Sequence, residues 1–197
     1  MANAHPGRVA GLVYLDAAYS YAFDNGQGSD VHEMQALKGP QPPPLGPADL
    51  ASFPALQKYY ERVNGFPFPE AELRQQFESP PDGKVGKPRD LPGGAMLFSV
   101  FLHPNKYTHI PVPALVIFAN SHSQGAWVDA NTDASVRASA NAYSAALSAL
   151  TGKQEKALAD AVPTAHVVTL PNAHHFLFLS NEADVLREIR TFAASLN

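Results

Sequence analysis

The stretch Val167-Val168-Thr169-Leu170-Pro171-Asn172-Ala173-His174-His175-Phe176-Leu177-Phe178-Leu179-Ser180 decides how this chain is read. A β-branched run ends at a proline, as a buried strand does. A short polar turn with two histidines follows. Then Val185, Ile189, Phe192 and Leu196 recur at spacings of four, three and four, which predicts an amphipathic helix from about 182 to 196. Ser180 or Asn181 is placed to cap it. A histidine in the loop after a strand, ahead of a helix, is a candidate general base. Its neutral imidazole titrates near working pH and can take a proton from a hydroxyl or a water.

Two further strands are expected upstream. Gly11-Leu12-Val13-Tyr14-Leu15 is a short apolar run ended by Asp16, and His5-Pro6-Gly7-Arg8 before it reads as a turn. Pro111-Val112-Pro113-Ala114-Leu115-Val116-Ile117-Phe118-Ala119 is a second strand, with its prolines at the entry, where they are tolerated. Alanine-rich residues 133–149 predict a helix, and 152–161 a second short one after Gly152. Strands alternating with helices imply a parallel α/β sheet.

Residues 24 to about 90 differ in composition. Twelve prolines between Pro40 and Pro92 argue against long strands, because each removes a backbone donor. Spacing predicts helices over 48–64 and 70–78, and a third over 92–102. Gly93-Gly94 reads as a turn and not as a phosphate loop. The region is expected to form a helical cap. The division is then a core of 1–23 and 109–197 with a cap of 24–108.

The bulk properties narrow the function. A net charge of -4 with 16% charged residues leaves no basic stripe, so nucleic acid is not an expected partner. No apolar run approaches the roughly 20 residues of a membrane span. Met1–Pro6 has neither the charged nor the apolar segment of a signal peptide, and the compartment is not otherwise legible. Zero cysteines exclude disulfides, thiolate metal sites and cysteine nucleophiles. His174 and His175 are adjacent, but no carboxylate or third histidine stands at ligand spacing, so neither metal nor cofactor is expected.

The order of these elements resembles the α/β-hydrolase fold. His5–Ala17 is similar to the segment after that family's nucleophile helix, Ile110–Phe118 to its seventh strand, and Asn172-Ala173-His174-His175-Phe176 to its catalytic histidine loop. The proline-rich middle lies where the family carries its cap. The resemblance implies a partial α/β-hydrolase fold: three parallel strands, flanking helices and a helical proline-rich cap. It implies His175 as the base and hydrolysis of carboxylic esters of small to medium apolar substrates. Haloalkane dehalogenase or epoxide hydrolase chemistry is an alternative, and a non-catalytic remnant or binding module is another. The supporting acid is Asp16, at the end of the sixth strand, or Asp129, in the stretch after the seventh; Asp16 is preferred because strand ends are where α/β sites assemble. Aromatics Tyr19, Tyr21, Phe23, Tyr59, Tyr60, Phe66, Phe68, Phe98 and Phe101 are candidates for lining an apolar pocket.

The chain departs from the family in one respect. No G-x-S-x-G elbow occurs, and the oxyanion donors tied to it have no counterpart. The resemblance implies a nucleophile shortly before Met1. It also implies that strand 11–15 is a sheet edge open to pairing, and that these 197 residues alone do not hydrolyse esters above a His175→Ala control.

Overall fold

The computed structural model describes residues 2–89, 107–120 and 122–196. The third helix expected over 92–102, Gly93-Gly94, Phe98 and Phe101 lie outside them. Three strands form one parallel sheet in the order β1-β2-β3: β1 Leu12–Leu15, β2 Ala114–Ala119 and β3 Ala165–Leu170. Leu12 pairs with Ala114 and Ala114 with Ala165. Among the described residues β1 pairs only with β2, so it is an edge of this sheet, as the family resemblance implies.

The helices among the described residues are α1 Val31–Ala36, α2 Phe53–Asn64, α3 Glu70–Gln76, α4 Ala126–Asp129, α5 Ala134–Ala161, α6 Leu177–Ser180 and α7 Glu182–Ser195. None is long and apolar enough to cross a membrane.

The described residues group into two units. One draws on 2–38, 107–123 and 142–196, the other on 39–89 and 124–141. In the first, β2 is buried at all six positions, and its two faces serve two cores. Ala114, Val116 and Phe118 point to one face and pack with Tyr19, Phe23, Leu158 and Val162. Leu115, Ile117 and Ala119 point to the other and pack with Leu170, Leu177, Val185 and Phe192. This is the alternation of a strand covered on both sides. Helix α5 supplies Leu158 to one face, and α7 supplies Val185 and Phe192 to the other. The approach of α7 is close: a Cβ on Gly11 would meet Phe192 Cζ at 2.8 Å.

In the second unit, α2 begins where Ser52 accepts the Ala55 N–H at 3.2 Å and Pro54 occupies the first turn. It ends at Gly65, whose φ of 88° only glycine adopts freely. Phe53, Leu56, Tyr59 and Val63 form its buried face. The expected helix over 48–64 is therefore shorter, and that over 70–78 stops at Gln76.

Two expectations are corrected and one is made more specific. Residues 133–149 and 152–161 are one helix, because a single glycine costs only about 1 kcal/mol and no proline interrupts the run. The segment at 5–8 is a turn of 3-10 helix, Pro6–Arg8. Neither Ser180 nor Asn181 caps α7 by its side chain: Ser180 Oγ donates to Asn181 Oδ1 at 2.7 Å and accepts the His174 N–H at 3.2 Å. Ser180 is held instead by the last turn of α6, which sequence periodicity did not reveal.

Candidate active site

Parallel strands bring their carboxyl ends to one side of the sheet, and three loops leave from there. The loop after β1 carries Asp16, the loop after β2 carries His122, and the loop after β3 carries His174 and His175. All belong to the first unit.

Asp16 extends the ladder by one bond, donating its backbone N–H to Ile117 O at 2.7 Å, and then turns out of it with a φ of 49°. Few non-glycine residues adopt that left-handed conformation, and aspartate is among those that tolerate it. The turn buries the carboxylate completely. Its Oδ1 accepts the Ala119 N–H at 3.0 Å and the Tyr19 hydroxyl at 3.0 Å. Its Oδ2 faces two imidazoles: His122 Nε2 at 2.9 Å and His175 Nδ1 at 2.7 Å.

Burial alone would push the Asp16 carboxyl up. The hydrogen bonds of His122 and His175, the His122 charge and the Ala119 N–H outweigh it and hold the group well below the usual carboxylate range. Asp16 is therefore an ionised acceptor at neutral pH, and the imidazole nitrogens that face it carry protons. His175 then keeps its lone pair on Nε2. Its side chain is 59% exposed, so that nitrogen is reachable, whereas His122 is 9% exposed. His122 Nδ1 is buried and has no hydrogen-bond partner.

The neighbours hold this arrangement. Burial, with the Asp16 charge beside it, pushes the Tyr19 phenol far above its ordinary value, so Tyr19 stays a donor. Tyr19 also packs edge-on to Phe118 of β2, with ring centroids 5.7 Å apart. His174 points elsewhere: its Nδ1 accepts the Phe176 N–H at 3.1 Å, and its ring stacks on Phe176. Burial and the charges of His175 and His122 push it down to about 4, so it is neutral at physiological pH. The segment from Ala18 to Ser29 is tied to α5 by one buried side chain. Gln154 Nε2 donates to Ala18 O and Phe23 O at 3.0 and 2.9 Å, and its Oε1 accepts the Ser29 N–H at 3.1 Å.

Of the residues singled out from sequence, Asp16 and His175 meet. Asp129 ends the short helix α4 in the other unit, exposed to solvent. Tyr19 and Phe23 are core residues, and Tyr59 and Phe68 are buried within the second unit. Two contributors were missed. His122 lies in a loop without a carboxylate to mark it as part of a triad, and Tyr19 reads in sequence as an apolar ring. Asp16, His122 and His175 each offer a metal-binding atom, and these atoms lie within 4.8 Å of one another, a grouping that spacing along the chain does not display.

No protein-family model matches the chain, and no curated protein matches it in sequence. Among solved structures it is similar to an E-2-(acetamidomethylene)succinate hydrolase, at a TM-score of 0.50 and 17% identity, over 98% of this chain and 60% of that one. It also matches a marine microorganism esterase at a TM-score of 0.43 and 17% identity, over 97% and 63%. The chain thus spans less than two thirds of the length of either. The first likeness shows the fold: the three parallel strands and their flanking helices are a partial α/β-hydrolase fold.

Proposed function

We propose that this chain carries the base and acid of a hydrolase site, with His175 as general base and Asp16 as its partner. The observation that carries the reading is the 2.7 Å contact from His175 Nδ1 to a fully buried Asp16. A buried carboxylate fixes the tautomer of the imidazole and stabilises the imidazolium that forms when Nε2 takes a proton. Tyr19 and the Ala119 N–H keep the carboxylate from turning. The fold neighbour is itself a hydrolase, which supports the same class of reaction.

The substrate we propose is a carboxylic ester of small to medium apolar character. No G-x-S-x-G elbow is present in these 197 residues, so the reading assigns a base and its acid and leaves the nucleophile unassigned.

The test is hydrolysis of a short-chain 4-nitrophenyl ester by four proteins. These are the chain, its His175→Ala variant, the chain continued into the reading frame upstream of Met1, and that longer protein with His175→Ala. Turnover is expected in the longer protein, falling about 100- to 10,000-fold on loss of the base. Turnover that ignores His175 sinks the assignment. Inactivity of the longer protein favours a non-catalytic remnant.

A further inference from the structure

Asp16 has two histidines on one oxygen, and a base needs only one. The second, His122, completes a set of two imidazoles and one carboxylate. This is a donor set that borderline divalent ions such as Zn2+ take, and three protein ligands leave a position open for water.

We propose that Asp16, His122 and His175 form a divalent-cation site of the zinc type. His122 Nε2 and His175 Nδ1 stand 2.9 and 2.7 Å from Asp16 Oδ2, and one donor atom of each residue lies within 4.8 Å of the other two. The other carboxylate oxygen is already fixed by the Ala119 N–H and the Tyr19 hydroxyl. Hydrogen bonds of that kind orient a ligating carboxylate. His175, 59% exposed, provides the entry path.

The spacing asks for a small adjustment. Bonds of 2.0–2.1 Å in a tetrahedral set put neighbouring ligand atoms about 3.4 Å apart. The imidazole nitrogens stand 2.9 and 2.7 Å from Asp16 Oδ2, so these two separations must open by about 0.5 and about 0.7 Å. The exposed ring of His175 can supply its own share, and the opening at His122 falls on a ring that is 9% exposed. Each imidazole must also turn a lone pair to the ion and carry its proton on the other nitrogen.

That last requirement has a functional consequence, which rests on the hydrolase reading. With Nδ1 on the ion, the His175 proton moves to Nε2, which can no longer accept one. Ion binding and general-base action then exclude each other, and the ion is a reversible inhibitor. The binding claim itself does not depend on catalysis.

Titration of the purified chain with Zn2+ alone, by calorimetry, tests the site without any assay of hydrolysis. Co2+ gives a second readout through its visible absorption in a low-coordinate nitrogen and oxygen site. One ion per chain is expected. His122→Ala and His175→Ala should each weaken binding at least about tenfold and abolish the Co2+ band. His32→Ala and His166→Ala, which alter exposed histidines elsewhere, should leave both unchanged. Circular dichroism checks each variant, and the exposed position of His175 keeps that variant informative if His122→Ala unfolds. Absence of one-to-one binding, or equal binding by His175→Ala, overturns the proposal whether or not the chain proves to be a hydrolase.

Discussion

Replacing Asp16 by asparagine tests the organisation of the whole site. The new side chain has nearly the same shape, so no cavity forms. Its oxygen can still accept from Ala119 N and the Tyr19 hydroxyl. Its NH2 group, however, takes the place of Oδ2 and faces two N–H donors. Donor would oppose donor unless both imidazoles change tautomer. If they do, two charge-assisted bonds become neutral ones of about half the strength, a loss of about 1 kcal/mol each. His122 must then place a proton on Nδ1, which is buried with no acceptor, at a further cost of about 1 kcal/mol or more. The total is about 3 kcal/mol, or about 6–12 °C in Tm for a chain of this size. Thermal and urea unfolding measure the loss, and 15N chemical shifts of the imidazoles report the tautomers. A variant within about 0.5 kcal/mol of the parent, with both tautomers unchanged, would refute the four-bond account of Asp16.

Three further outcomes are expected. Gly28→Ala should destabilise the fold by about 1–3 kcal/mol, because its Cβ would lie 2.0 Å from Gln154 Oε1, an atom already held by Ser29 N–H; unchanged unfolding would show that Gln154 yields freely. Gly152→Ala should stabilise it by about 0.5–1 kcal/mol, since the site is inside α5 and the nearest atom, Asn120 Nδ2, would be at an ordinary 3.8 Å; a lower Tm would contradict this. Acid should act in two stages. His174, pushed down to about 4 by folding, binds protons more readily when unfolded, so stability falls from about pH 6.5 downward. Asp16, also held below its unfolded value, contributes fully above about pH 4 and loses that contribution as pH falls further. Unfolding curves of His174→Gln should flatten the first stage and those of Asp16→Asn the second; parallel curves for all three proteins would discard both attributions.

What sequence could reveal follows from the range of each interaction. The strands were legible because burial on both faces of β2 demands an unbroken apolar run, and a six-residue run is a local signal. The position of His175 was legible from its neighbours, a strand before and an amphipathic helix after. The second histidine on Asp16 was not, because His122 and Asp16 are 106 residues apart and meet only through the pairing of β1 with β2. The continuity of α5 is hidden locally because Gly152 has the lowest helix propensity short of proline, yet its cost is small beside that of the whole helix. The role of Gln154 had no local signature at all, since its three partners are backbone groups more than a hundred residues away.

The distances along the chain within the Asp16 cluster bear on how the molecule folds. His122 and His175 stand 106 and 159 residues from the carboxylate they share. Helices can form early from near neighbours, but contacts across such separations must first meet the entropy of closing long loops. The cluster closes only after β1, β2 and β3 have docked in register, so no partly folded chain with a missing strand can contain it. An imidazole signal that reports contact with Asp16 is thus a marker for the end of folding, and its appearance after dilution from urea should lag behind the recovery of helical ellipticity.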